Sequence, residues 1–155
     1  MAKDETHEIS IARLFEAPRE LVYRAFVDPD QLCQWFGPAG FSVPCETVQI
    51  DARPGGFQRF VMISDEDPTL RSTVDATFSQ VIENELLVGR QDVQGPPGGA
   101  GAARFRLRLE FHDQAGDKTR LELRQGPFTE QTGSDTMAGW ESSFIKLDSL
   151  LRRSL

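Results

Sequence analysis

The sequence predicts an α+β fold: a curved antiparallel sheet of seven strands around a long C-terminal helix, with two short helices between strands 1 and 2. Three observations predict it. Apolar residues recur with period two through most of the chain between residues 41 and 125. Two short helical patterns with sharp start and stop signals lie just before that region. The last stretch, roughly 134–153, carries its large apolar residues at helical spacing.

In chain order, "HEISIARLFEA" places Ile9, Ile11 and Phe15 on one side of a strand. "PRELVYRAFVDP" then predicts a helix over 18–27: Pro18 suits the first helical position, Glu20 favours the positive helix start, and Leu21, Val22, Ala25 and Phe26 share a face. A second helix is predicted over 29–36. Asp28 caps it, Pro29 opens it, and Gln31 completes a capping-box arrangement. Leu32, Trp35 and Phe36 form its apolar face, and Gly37-Pro38 stops it. A helix of two turns is marginal alone, so its stability must come from docking that face.

Strands are predicted near 41–50, 57–64, 70–81, 86–92, 103–111 and 118–125. The clearest is "RFRLRLEF", where Phe105, Leu107, Leu109 and Phe111 point one way and Arg104, Arg106, Arg108 and Glu110 the other. Turn chemistry separates the segments: "RPGG" at 53–56, "SDEDP" at 64–68, "ENE" at 83–85, "GPPGGAG" at 95–101 and "DQAGD" at 113–117. The last helix reads Met137, Trp140, Phe144, Leu147 and Leu151 as one narrow stripe. Ser134 or Asp135 is its cap, and Arg152 and Arg153 suit its end.

The 155 residues fit one domain, 1–155, long enough to bury a core without staples. The net charge of −7 repels phosphate backbones, and the arginines at 104, 106 and 108 read as the wet face of a strand, so nucleic acid is not an expected partner. Cys33 and Cys45 match no zinc or redox spacing, and two reduced thiols in a cytoplasmic protein are expected. "MAKDETHEIS" lacks the apolar run of a signal peptide, and no stretch is long enough to span a bilayer. His7 and His112 lie far apart in sequence, so neither a histidine-based metal site nor a catalytic triad is expected, and no cofactor is implied.

"GAGAAR" approaches a dinucleotide fingerprint, but that motif needs a helix directly after its glycines, and a strand follows here; a hairpin tip is the simpler assignment. "RPGG" reads as a tight turn, with Arg53 a weak anion candidate. Glu141 and Asp148 flank the stripe of the last helix. A Glu141 desolvated at a cavity rim could act as general acid or base, against the simpler assignment of a solvated flank residue. Eleven phenylalanines and two tryptophans either fill one core or wall an apolar pocket between sheet and helix. The candidate pocket residues are Trp35, Phe36, Phe60, Phe78, Leu107, Leu109, Met137, Trp140 and Phe144. The faces of Phe60 and Phe78 stay open, because a one-residue slip reverses them.

"FEAPRELVYRAFVDPDQLCQWFGPAGF", "IDARPGGFQRFVMI" and "GPFTEQTGSDTMAGWESSFIKLDSLL" resemble, in that order, successive motifs of bacterial proteins related to the C-terminal domain of the Hsp90 ATPase activator, within the START-like (Bet v 1-like) superfamily. The resemblance runs from about Ile9 to Leu151, with phenylalanine at 36 and 57 where relatives often carry tryptophan. It implies the helix-grip fold, with Trp35 and Phe36 closing one end of the hollow opposite Met137, Trp140 and Phe144. One scaffold of this kind serves lipid and hormone carriers, cyclases and chaperone partners.

The expected function is binding of a small hydrophobic molecule, a lipid or aromatic metabolite, between sheet and helix. A cyclase- or hydrolase-type enzyme using Glu141 in the same pocket is one alternative, and a module that binds an Hsp90-type chaperone is the other. The eukaryotic activator also carries an N-terminal domain that engages the chaperone, for which 155 residues are not expected to leave room. An exposed edge strand would support a homodimer.

Overall fold

The computed structural model describes residues 6–95 and 103–154. The elements run β1 (His7–Phe15), α1 (Arg19–Val27), α2 (Pro29–Trp35), β2 (Phe41–Ser42), a 3-10 turn (Cys45–Thr47), β3 (Gln49–Asp51), β4 (Phe57–Ser64), β5 (Arg71–Ile82), β6 (Leu86–Gln94), β7 (Ala103–Gln114), β8 (Lys118–Phe128) and α3 (Glu130–Ser154). The sheet order is β1-β8-β7-β6-β5-β4-β2, with β3 also on β4. Every pairing is antiparallel. The eight strands thus fill the seven expected lanes, curled into a half-barrel around α3. A bulge between Phe78 and Gln80 shifts the register of β5 on β6; such an extra residue bends a strand and deepens its twist.

The segment 41–50, expected as one strand, is broken. Pro44 lacks the N–H that a ladder needs, and the chain makes a 3-10 turn there before β3 resumes pairing. The Arg53 turn is as expected: Gly55 has φ 83°, and a Cβ at Gly56 would lie 2.0 Å from the Asp51 carbonyl oxygen. Arg53 gives its charge to Asp51 at 2.7 Å, which answers its reading as an anion site. The "GPPGGAG" tip lies almost wholly outside the described residues.

Both short helices form where their signals stand. Asp28 caps α2 by accepting from the Asp30 N–H at 2.9 Å, while the Gln31 side chain makes no cap contact. Helix α3 begins at Glu130, four residues before the expected start at 134. Thr129 and Thr132 bond reciprocally at its start, so Ser134 and Asp135 lie inside the helix. A glycine at 133 looks like a poor helix residue. A Cβ there would sit 3.2 to 3.3 Å from His7, Ile9 and Phe128, so its absence lets the first turns of α3 settle on β1 and β8.

The expectation of two free thiols is corrected: Cys33 on α2 and Cys45 on the 3-10 turn form a disulfide, their Cα atoms 5.0 Å apart. The tertiary fold packs α2 against that turn, a proximity that the sequence spacing of 12 does not reveal. No described helix is long and apolar enough to cross a membrane.

Candidate ligand-binding site

The inner face of the sheet is set by register. Phe60 pairs with Val74, Phe78 with Gly89, Gly89 with Leu107, and Leu107 with Gln125. This resolves the open faces: Phe60 and Phe78 both point inward and are buried. Between this face, α2 and α3 lies a cavity of about 20 Å³, lined by Phe26, Phe36, Gln58, Ala76, Phe78, Leu87, Gly89, Gln91, Leu107, Leu109 and Trp140. That is room for about one water molecule. At Gly89 a Cβ would lie 2.7 Å from the Thr77 carbonyl oxygen, so glycine alone fits where β6 passes the bulged part of β5.

Of the nine expected pocket residues, Phe36, Phe78, Leu107, Leu109 and Trp140 line the cavity. Trp35, Phe60 and Phe144 pack behind them as core. Trp35 is 0% exposed, donates its Nε1–H to the Ala25 carbonyl at 2.9 Å, and meets Phe26 edge-on at 4.8 Å. Phe36, one residue past the helix, has extended backbone (ψ 143°) and meets Phe60 at 4.7 Å and Trp140 at 5.4 Å. Trp35 is therefore a filler and Phe36 the wall. Met137 is 37% exposed and outside the lining. The buried face of α3 runs through Gly133, Trp140, Phe144, Leu147 and Leu151 and leans toward Ser143 and Leu150, which turns Met137 outward.

Glu141 is also outside the lining. Its side chain is 52% exposed and lies 3.7 Å from Arg13, an inward-facing arginine of β1 that also bonds Asp148. Both carboxylates flanking the stripe thus clamp α3 to β1, and Arg13 lies over the rings of Phe15 and Phe144. No carboxylate, histidine, cysteine or hydroxyl lines the cavity among the described residues.

What sequence reasoning missed is a set of inward glutamines. Gln58, Gln91 and Gln125 are buried. The Trp140 Nε1–H donates to Gln125 Oε1 at 2.8 Å, and Gln125 Nε2 donates to Gln91 Oε1 at 2.6 Å. Gln58 Nε2 donates to the Phe26 carbonyl at 2.9 Å. This leaves Gln91 Nε2 and Gln58 Oε1 at the cavity without a hydrogen-bond partner among the described residues. The signal was present: each glutamine occupies an inward slot of a period-two strand, where an apolar residue is the default.

The wall that carries Phe36 is held from several sides. Ser142 Oγ accepts from the Ala39 N–H at 2.7 Å, and Lys146 donates to the Phe41 carbonyl at 3.0 Å. Burial pushes the Lys146 ammonium below its usual range, and Asp65 opposes that shift. The disulfide fixes α2 to the 3-10 turn.

On the outer face the fold gathers Glu110, His112 and Glu122, whose ligand-type atoms lie within 4.8 Å of one another. Arg108 bonds Glu110 at 2.6 Å and Arg120 bonds Glu122 at 2.7 Å. The Arg108 hydrogen bond, aided by His112, holds the Glu110 carboxyl below its ordinary range against some desolvation. Both carboxylates are thus already matched by guanidinium groups.

The model of the "Activator of Hsp90 ATPase homolog 1-like protein" family matches residues 16–152. The chain belongs to that family. Among solved structures, this member of the activator-like family superposes on the AHSA1 protein of Silicibacter pomeroyi with a TM-score of 0.80 at 21% identity, covering 96% of this chain and 100% of that one. It superposes on a Chromobacterium violaceum protein with a TM-score of 0.78 at 23% identity, covering 93% and 96%. CalU16 of Micromonospora echinospora gives 0.64 at 19% identity, covering 94% of this chain and 76% of that one. At these identities the likeness establishes the fold alone. No curated protein matches the sequence of this family member.

Proposed function

We propose that residues 1–155 act as one ligand-binding domain for a small, mostly apolar molecule carrying one hydrogen-bonding group, held between the sheet and α3. The observation that supports this is the pair of unspent amide atoms, Gln91 Nε2 and Gln58 Oε1, in a cavity otherwise walled by aromatic and aliphatic side chains. The cavity beside them has room for about one water, and a ligand carbonyl or hydroxyl would replace that water with a direct hydrogen bond. Phe36, Phe78, Leu107, Leu109 and Trp140 would supply the apolar contact. A drug-sized ligand needs roughly 300–1,000 Å³, so binding requires Phe36 and its segment to move out from the sheet. The amide lining contains no general acid or base, which argues for binding rather than turnover.

The matched probes are 1-naphthol and naphthalene, titrated by amide NMR. Naphthol should bind about tenfold tighter, one net hydrogen bond, with its largest shifts at the side-chain amides of Gln58 and Gln91. Gln91→Met should erase the preference. Absence of shifts from either probe at saturation would end the reading.

A second reading is a chaperone-binding module, supported by the family and by the nearly filled interior. It requires co-purification of a bacterial Hsp90-type chaperone with the intact protein; without it, this reading fails. A cytoplasmic location is part of both readings. It requires Cys33 and Cys45 to be reduced in the cell, because cytosolic glutathione keeps most thiols so. Alkylation at lysis followed by mass spectrometry decides it.

A further inference from the structure

We propose that the outer face of the sheet carries a second site, for a phosphate-type oxyanion (a phosphate monoester or a diphosphate), on the paired side chains of Arg90 and Arg106. The register places these two arginines directly opposite each other on β6 and β7. Their row continues to Thr77 on β5 and to Gly126 on β8. Two like charges directly opposite across strands destabilise a sheet unless something neutralises them.

The neighbouring rows show how this surface otherwise treats charge. On one side, Asp75 and Asp92 face each other, and each has its own arginine: Arg59 at 3.1 Å and Arg104 at 2.7 Å. On the other side, Arg108 stands opposite Arg124 and is engaged by Glu110 at 2.6 Å, so at least one arginine of that row is matched, whereas in the row between neither is. The next row pairs Glu110 with Glu122, and Arg120 serves Glu122. Arg90 and Arg106 form no ion pair and no side-chain hydrogen bond among the described residues. In a chain with 24 acidic and 17 basic residues, an unmatched doublet runs against the composition.

The doublet also faces a basin. A depression of about 760 Å³ is lined by both arginines together with Thr77, Arg104, Asp92 and Gly126. Asp92 is spent on Arg104. Gly126 leaves its end of the row without a side chain. A Cβ there would lie 3.0 Å from Glu8 Cα and from the His7 carbonyl oxygen on β1, tighter than ordinary contact. Glu8, the acidic residue at that rim, makes no ion pair with either arginine among the described residues. Guanidinium forks recognise phosphate oxygens two at a time, and directly opposed residues stand about 5 Å apart, so two forks can close on one phosphate or span a diphosphate.

The test is calorimetric titration of the intact protein with pyrophosphate and with phenyl phosphate near physiological salt, beside flotation on phosphatidylcholine vesicles doped with phosphatidic acid. Binding of the soluble probes assigns a free phosphate ligand; flotation with no soluble binding assigns a lipid headgroup. Either supports the site if Arg90→Gln/Arg106→Gln weakens it at least about tenfold while Arg59→Gln leaves it within about twofold. Arg90→Lys/Arg106→Lys should fall between, keeping charge but losing the fork. Thermal melts should show the Gln double variant folded and slightly more stable than the wild type, since a repulsion is removed. No binding in any arm, or binding unchanged in the Gln double variant, overturns the proposal.

Discussion

The two faces of one sheet follow opposite rules. The inner face is mostly apolar, with three glutamines, Arg13 and buried hydroxyls such as Ser72, and most of its glutamine amide atoms are matched to a partner inside the protein. The outer face is charged, with ion pairs that run across strands (Arg59–Asp75, Arg104–Asp92) and along one strand (Arg108–Glu110, Arg120–Glu122). The exceptions among the described residues are local: inside, the buried Arg13 Nε and Ser72 Oγ and the two glutamine atoms at the cavity; outside, the Arg90–Arg106 doublet and Arg124, which stands opposite Arg108. Burial decides what such an exception is worth. An unmatched buried polar atom costs on the order of 1–3 kcal/mol, whereas an exposed charge pair is worth about 0–1 kcal/mol.

The comparison breaks first at the inner face. Trp35→Ala should cost about 3–5 kcal/mol in urea unfolding, because the indole is fully buried among aromatic rings and its N–H serves the Ala25 carbonyl. Reduction of the Cys33–Cys45 bond should cost about 3 kcal/mol by loop entropy, read as a drop in melting temperature with reductant that Cys33→Ser/Cys45→Ser reproduces without it.

Trp140→Phe comes next. It strips Gln125 Oε1 of its donor and should cost about 1–3 kcal/mol, with a changed amide signal at Gln125 and Gln91. The smallest effect belongs to the outer face. Glu110 has its folded pKa below the ordinary value of 4.5. Its stabilisation is therefore present above that value and lost as pH falls through the lower folded one. Glu110→Gln should cost well under 1 kcal/mol at neutral pH and flatten the acid limb of the stability profile. A loss as large as that of Trp140→Phe would show that the outer face is not screened as described.

Helix α2 shows how far the one-dimensional pattern reaches. Its start, stop and apolar face were legible because proline, the Asp28 cap and the Gly37-Pro38 stop act on the local backbone. Which of its two aromatics faces the cavity was not legible. Residues 35 and 36 are adjacent, and only the extended backbone at Phe36, where the helix has already ended, turns that ring toward Trp140. Met137 failed for a related reason. Apolar spacing gives the width of a stripe, but the line on which α3 actually touches the sheet is set by the sheet.

Outside 41–50, where Pro44 breaks one expected strand into two, the sequence by itself determined the order and kind of the elements, because period, caps and turn residues are local properties of the chain. It also determined that one sheet face would be apolar and the other charged. Only the tertiary structure decided that the interior closes to about 20 Å³, that Cys33 meets Cys45, and that Arg90 stands opposite Arg106. Those facts depend on register and docking between segments far apart in the chain, and no local rule carries that information.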